Sequence, residues 1–342
     1  MKELVKLLKK IDGFQYCANF GNLGDLLIAE GTRQFFRRNN ITYHEYNGKN
    51  LPEKFDLVYA GGARFTSCWC NITECKELLT DKRIKTCVIL PHSFNDVDEL
   101  LMSLDNRHHL FCRDKNSYDY CQSLNLSANV YLSTDMAFNL NVEECTDFIH
   151  PTELNEEESK TKQQIKKGLL KLLSRGVLRA SISCVMGGRK RKIAFLLRED
   201  KEKSTPYSTM LTYDISTAWH TSGKEMAYNS TMLKAFTNAL KQVDVVVSDR
   251  LHVCIMAYLS GVEVYLLDNK YGKLSGVYNQ SMSDKPKVHL LSKGDLTHEL
   301  AQAWKMFNSP LRILRYKICE AILWMLRLHT RTIRVIRRKS SK

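Results

Sequence analysis

Through the first 140 residues of the chain, short β-branched or aromatic runs alternate with stretches whose apolar residues recur at helical spacing. Such alternation predicts βαβ units and a parallel sheet. Strands are predicted from Phe14 to Ala18, Ile41 to Tyr46, Leu57 to Ala60, Thr86 to Leu90, Leu110 to Arg113 and Asn129 to Leu132. The best helical pattern runs from Asp25 to Arg38, with Leu27, Ile28, Phe35 and Phe36 as its apolar residues and Asn39 and Asn40 to end it. The opening MKELVKLLKK alternates Leu with Lys and lacks the apolar core of a secretory leader, so it is expected to form an exposed first helix.

A polar stretch from Glu143 to Lys171 interrupts this rhythm and reads as a linker with a helix in or after it. A second alternation follows: strands from Ile193 to Leu197, Val243 to Val247 and Glu263 to Leu267, with helices from Thr231 to Lys241 and His252 to Leu259 between them. The expected fold class is therefore α/β, with two Rossmann-like domains facing a cleft, plus a C-terminal amphipathic helix. Its parts are an N-terminal domain over 1–142, the linker over 143–190, a second domain over 191–308 and a basic tail over 309–342. In that tail Leu311, Leu314, Ile318, Ile322, Met325 and Ile336 fall on one side of a helix, while Arg327, Arg331, Arg334 and Arg338 fall opposite. Such a helix suits the surface of an anionic bilayer, although its apolar stripe could equally pack back on the protein.

Charge sharpens this picture. The 342 residues carry 51 Lys and Arg against 37 Asp and Glu, a formal charge of +14, of which the segment from Leu311 to Lys342 alone supplies +9. The remainder is ordinary for a soluble protein, and no aromatic platform accompanies the basic segment, so a nucleic-acid partner is not expected. Nowhere do about 18 uncharged apolar residues run together, which argues against a membrane span. Eleven cysteines without a leader point to free thiols in a reducing compartment, that is, a cytoplasmic protein. Cys68, Cys70 and Cys75 have no matching second pair, so no metal is expected.

Candidate chemistry gathers where strands end, the usual ligand side of an open α/β sheet. Gly21-Asn22-Leu23-Gly24-Asp25 joins a strand to a helix; its glycines permit close backbone approach and the helix-start amides can receive an anion, or Asp25 can simply cap the turn. Gly61 and Gly62 follow another strand, as do Pro91-His92-Ser93 and Arg113-Asp114. Ser248-Asp249-Arg250-Leu251-His252 puts a guanidinium and an imidazole at a helix start, and Arg198-Glu199-Asp200 ends a neighbouring strand. Asp268-Asn269-Lys270-Tyr271-Gly272-Lys273 forms one more polar strand end. Two arginines and a histidine on one edge suit a small polyanion.

These segments resemble the polysaccharide pyruvyl transferase family: S-D-R-L-H from Ser248 to His252, D-N-K-Y-G-K from Asp268 to Lys273, L-R-E-D from Leu197 to Asp200 and the early G-N-L-G-D. The resemblance spans roughly Phe14 to Tyr278. It implies a fold similar to the two-domain glycosyltransferase-B arrangement, with phosphoenolpyruvate as donor and a sugar of a surface polysaccharide, free or lipid-linked, as acceptor. It also implies that Arg198, Arg250, the Leu251 backbone and His252 hold the donor's anionic groups. The expected catalytic residues are His252, Arg250 and Asp200. Expected substrate contacts are Arg198, Leu251, Gly21, Asn22, Gly24, Asp25, Gly61, Gly62, Asp268, Asn269, Tyr271 and Lys273. No cofactor beyond the donor is expected, and the basic tail, residues 311–338, would dock the enzyme to the inner membrane face. Two other readings stay open: a glycosyltransferase of similar architecture using a nucleotide sugar, and a non-catalytic subunit of a polysaccharide assembly complex.

Overall fold

A computed structural model describes residues 1–145, 163, 167–169, 171, 177–203, 205–220, 226–268, 272–291 and 295–322. Its first half is a six-stranded sheet, all parallel, formed by β1 (Phe14–Cys17), β2 (Tyr43–Glu45), β3 (Phe55–Tyr59), β4 (Ile84–His92), β5 (His108–Cys112) and β6 (Asn129–Leu132) in the order β2-β1-β3-β4-β5-β6. The chain steps outward from β1 to β2 and then returns to place β3 on the other side of β1. That reversal opens a crevice beyond the carboxyl ends of β1 and β3, where open α/β sheets bind ligands.

Helix α1 (Lys2–Lys10) precedes β1, and the expectation that it is simply exposed is corrected: Leu4 and Leu8 are fully buried, because its leucines sit one helical turn apart on the face that meets the core. Helix α2 (Leu23–Arg38) starts on a capping box. The Asn22 side chain accepts from the Gly24 amide at 2.7 Å, and Asp25 accepts from the Asn22 amide at 3.0 Å. Helices α3 (Ile72–Leu79), α4 (Asp98–Met102) and α5 (Lys115–Ser123) cover the opposite face of the sheet, over a core that includes Leu57, Ile89 and Leu110.

The second sheet has the order β11-β10-β9-β8-β7. Strands β7 (Ser181–Met186) and β8 (Arg189–Phe195) form an antiparallel hairpin. Gly187 and Gly188 turn it with φ of +59° and +72°, values that side chains other than glycine adopt with strain. Strands β9 (Val245–Ser248), β10 (Glu263–Leu267) and β11 (Val288–Leu291) continue it in parallel. Strand β7 lies in the stretch read as linker, and its polar alternation, Ser181, Ser183 and Cys184 among apolar residues, explains why no strand was expected there. Helices α6 (Met226–Leu240), α7 (Leu251–Leu259) and α8 (Lys273–Ser281) connect the parallel strands, and α9 (His298–Phe307) returns across the other face onto Phe195, Val245 and Val247. A last helix, α10, runs over 310–322.

Helix α2 packs against both α6 and α7, so one apolar core runs from Tyr16 and Val58 of the first sheet to Val246 and Val264 of the second. The two halves are therefore held by buried hydrocarbon and their strand ends meet across a fixed gap. Among the described residues no helix is long and apolar enough to cross a membrane. All eleven cysteines are free thiols.

Gly31 shows how tightly α2 is seated. A Cβ built there would lie 2.5 Å from the Met136 carbonyl oxygen, in the turn Met136–Asn139 that follows β6. Alanine normally stabilises a helix interior relative to glycine by about 1 kcal/mol, but here the obstacle is backbone and cannot swing away. Gly31→Ala is expected to destabilise the protein by about 1–3 kcal/mol, as for other overpacked cores, read as a fall in the urea midpoint at unchanged slope.

Candidate active site

A cleft of about 480 Å³ opens where the carboxyl ends of the two sheets face each other. Strand registers bring the chemistry to it. Cys112 of β5 pairs with Leu132 of β6, so Arg113 and Asp135 emerge side by side just beyond those strands. Likewise Phe195 of β8 pairs with Val247 of β9, which sets Arg198 next to Asp249 and Arg250. Helix α7 begins at Leu251 with Arg250 as its N-cap residue, and no side chain caps it, so its first amides remain available at the cleft wall.

Arg113 is the anchor of the floor. It is fully buried and lines the cleft. Its Nη1 donates to Asp135 Oδ2 at 2.7 Å and its Nε donates to Ser93 Oγ at 2.8 Å. His252 Nε2 stands 3.4 Å from both Arg113 Nη1 and Asp135 Oδ2, so an imidazole from the second sheet completes a pair built by the first. Nη2 of Arg113 is buried without a hydrogen-bond partner among the described residues. Burial works to raise the Asp135 carboxyl, but the Arg113 charge, with the hydrogen bond and charge of His252, overcomes it and holds Asp135 well below the usual aspartate range.

Asp25 behaves in the opposite way. Burial raises its pKa, and neither the nearby His252 nor the Asn22 amide offsets that, so Asp25 keeps its proton to higher pH than a free aspartate. Gly24 beside it is required by contact: a Cβ there would come within 2.9 Å of His252 Nδ1. The glycine thus lets the imidazole of one half touch the helix start of the other.

Carboxylates hold the two arginines of the second half. Arg250 Nε donates to Asp214 Oδ1 at 3.0 Å, its Nη2 bonds Asp214 Oδ2, and the same Nη2 lies 2.6 Å from Asp200 Oδ2. Arg198 pairs with Glu202 through Nη1, and its Nε is 3.2 Å from Asp200 Oδ1. Although within ion-pair distance, that Nε makes no well-directed hydrogen bond. The Arg198 amide donates to Asp249 Oδ1 at 2.8 Å. Buried guanidinium groups need such counter-charges, and Asp200 links both. The site is a network of paired charges more than a bare cationic corner.

Gly21, Asn22, Gly24, Asp25, Arg198, Asp200, Arg250, Leu251 and His252 all line this one cleft. Gly61 and Gly62 lie behind its wall: the Gly61 carbonyl accepts from Asn19 Nδ2 at 3.1 Å, and a Cβ on Gly61 would strike the Pro91 carbonyl. Asp268 accepts from the Ser275 amide at 3.2 Å near the start of α8, away from the cleft lining. Asn269 and Tyr271 fall outside the described residues, and of Lys273 only its place as the first residue of α8 is described. Asp135, Asp214, Glu202, His220 and Trp69 were not expected from sequence. For Asp135 a signal existed, since it follows a predicted strand end, whereas Asp214 sits in a stretch without periodic pattern. Among the described residues no three His, Cys, Asp or Glu side chains are grouped to hold a metal ion.

Two Rossmann-like sheets that direct arginines, a histidine and a helix start into a common cleft define an α/β protein with its polar chemistry gathered at the carboxyl ends of its strands. The chain belongs to the polysaccharide pyruvyl transferase family, whose model matches residues 22–271. A curated relative from Bacillus subtilis (strain 168), named "Putative pyruvyl transferase EpsO", is 25% identical over 300 residues, covering 80% of this chain and 85% of that protein. The crystal structure of a functionally uncharacterized protein from Klebsiella pneumoniae subsp. pneumoniae NTUH-K2044 superposes with a TM-score of 0.63 at 25% identity, covering 85% of this chain and 96% of that one. Family membership makes the protein a transferase of polysaccharide biosynthesis.

Asp135→Asn tests the floor of the site. It leaves the buried Arg113 charge uncompensated, and the expected loss at pH 7 is about 3–5 kcal/mol by chemical denaturation. Because the folded-state pKa of Asp135 is depressed, its contribution is complete above the unfolded value of about 3.9 and fades as pH falls through that value toward the folded one. The gap between wild type and Asp135→Asn should therefore narrow steadily below about pH 4.

Proposed function

We propose that this protein transfers the pyruvyl group of phosphoenolpyruvate onto a sugar residue of a cell-surface polysaccharide, or its lipid-linked precursor, as a cyclic ketal. The observation that carries this reading is the convergence of Arg113, Arg198, Arg250 and His252 on one cleft in a chain of this family. We read the two facing sheets as a glycosyltransferase-B-like pair, with the second sheet on the donor side.

The chemistry asks for a proton at the donor's methylene carbon, stabilisation of an oxocarbenium-like centre at its neighbour, and departure of phosphate. One sugar hydroxyl adds to that centre and yields its proton; the carbon–oxygen bond to phosphate then breaks and a second hydroxyl closes the ketal, yielding its own proton. One hydroxyl proton balances the proton consumed at the methyl group and the other leaves with hydrogen phosphate. Arg198, Arg250 and the Leu251 amide hold carboxylate and phosphate, above the buried charge of Arg113. His252 either delivers the proton or binds phosphate as imidazolium. Asp25, whose carboxyl burial pushes above the ordinary aspartate range, sits beside it, and Asp200 either orients the two arginines or accepts a hydroxyl proton.

The last helix suits a membrane surface. Leu311, Leu314, Ile318 and Ile322 are 46–60% exposed, while Ile313 and Tyr316 pack on the second sheet's outer core, so the stripe faces solvent. Met325, Arg327, Arg331, Arg334, Ile336 and Arg338 lie outside the described residues. The exposed stripe and the basic segment after it fit an anionic leaflet, which we assign to the cytoplasmic face.

Saturable phosphoenolpyruvate binding in calorimetry is expected, weakened at least about tenfold in Arg250→Lys, which keeps the charge but loses the fork. His252→Gln should reduce pyruvyl transfer by about 10²-fold or more. Binding of a nucleoside diphosphate in place of phosphoenolpyruvate would establish the nucleotide-sugar reading instead. For the tail, Leu314→Glu with Ile318→Glu should abolish flotation with phosphatidylglycerol vesicles; unchanged flotation rejects docking through this stripe.

A further inference from the structure

The cleft is graded from a dry, charged floor to an aromatic mouth. Arg113, Arg198 and Arg250 are at most 9% exposed, whereas two large aromatic side chains that line the same cleft, Phe20 and Trp69, are 52% and 44% exposed. Both come from the first half: Phe20 from the loop after β1, Trp69 from the loop between β3 and α3. Exposed aromatics at the cleft leave a large apolar area in water, which is unfavourable unless a ligand covers it.

Trp69 is held in place. Its Nε1 donates to Glu202 Oε1 at 2.5 Å, and Lys201 Nζ stands 4.3 Å from the ring centroid while also bonding the Cys68 carbonyl. A cation at that distance leans on the electron-rich face of the ring. The indole is thus fixed from across the cleft by the second half, at the entrance and not in the core. Asn19, Arg64 and His220 line the same cleft and offer polar groups there.

Volume points the same way. At about 480 Å³ the cleft falls among pockets that enclose drug-sized ligands, and a donor of ten non-hydrogen atoms on the arginine floor leaves the mouth to a second molecule. An acceptor that belongs to a glycan must also extend out of the protein, which only the mouth permits. A pyranose ring presents an apolar C–H face and a polar rim of hydroxyls, matching an aromatic surface bordered by Asn, Arg and His.

We propose that Phe20 and Trp69 form the acceptor platform, stacking on the C–H face of a hexopyranosyl residue and turning its hydroxyl pair toward the donor. This deepens the reading of the preceding subsection and rests on it. Saturation-transfer NMR with methyl β-D-galactopyranoside, methyl β-D-glucopyranoside and methyl β-D-mannopyranoside, run beside phosphoenolpyruvate calorimetry, separates the two. Wild type should transfer saturation to the ring C–H protons of at least one glycoside. Phe20→Ala and Trp69→Ala should each weaken that glycoside at least about tenfold. Trp69→Phe, which keeps a ring but loses the N–H to Glu202, should restore most of it. Donor affinity should stay within about threefold in Phe20→Ala, which removes no hydrogen bond or charge from the arginine floor. Undiminished glycoside binding in both alanine variants overturns the platform, as does absence of transfer to every glycoside in wild type. Glycoside binding through Trp69 in a protein that does not bind phosphoenolpyruvate would sink the donor reading and leave the platform standing.

Discussion

A guanidinium without solvent contact must be neutralised where it stands, and Arg113 meets that demand through Asp135. Removing either charge from water costs several kcal/mol, so the pair is tolerated only with close geometry and further hydrogen bonds. Ser93 and the turn after β6 supply them: Asp135 also accepts from the Ala137 amide at 2.8 Å. Adjacent parallel strands place the two residues together, and the same turn presses on Gly31 of α2. His252 then joins the pair from the second sheet. One buried ion pair thus links the register of the first sheet, the seating of its first helix and the approach of the second half.

The cleft inherits its character from that constraint. Its floor carries several cations, yet nearly all are matched by Asp135, Asp200, Glu202 and Asp214, so the local field is shaped more than merely positive. Two directional features remain on the lining, the start of α7, which no side chain caps, and a histidine whose Nε2 already faces a carboxylate, while Arg113 Nη2 lies buried beneath them without a hydrogen-bond partner among the described residues. Preorganised donors of this kind favour developing charge without reorganising as the reaction proceeds. Asp25 adds, next to the same imidazole, a carboxyl that burial pushes up, in contrast to Asp135, which its charged neighbours hold down.

Much of this was legible in the chain. The strands from Phe14 to Leu132 and the helix from Asp25 to Arg38 were visible because apolar periodicity is local. Arg198, Arg250 and His252 could be placed on one sheet edge because each follows a buried strand. Strand β7 and the short β11 were not visible, since polar or brief segments owe their strand state to the neighbour they pair with. Asp268 accepts from the Ser275 amide at the start of α8, a role its place at a strand end does not disclose, because a strand-end carboxylate serves a cap and a site equally well.

Sequence alone determined the alternation of elements, the strand ends that carry polar chemistry and the concentration of basic charge after residue 311, all of which depend on residues within a few positions of one another. Only the tertiary structure decided that Arg113 and Asp135 stand against His252, 139 and 117 positions away, and that Phe20 and Trp69 share a cleft with them. Those meetings follow from α2 packing on α6 and α7. The apolar faces that drive this packing are not specific in sequence for the partner they choose; shape and strand register select it.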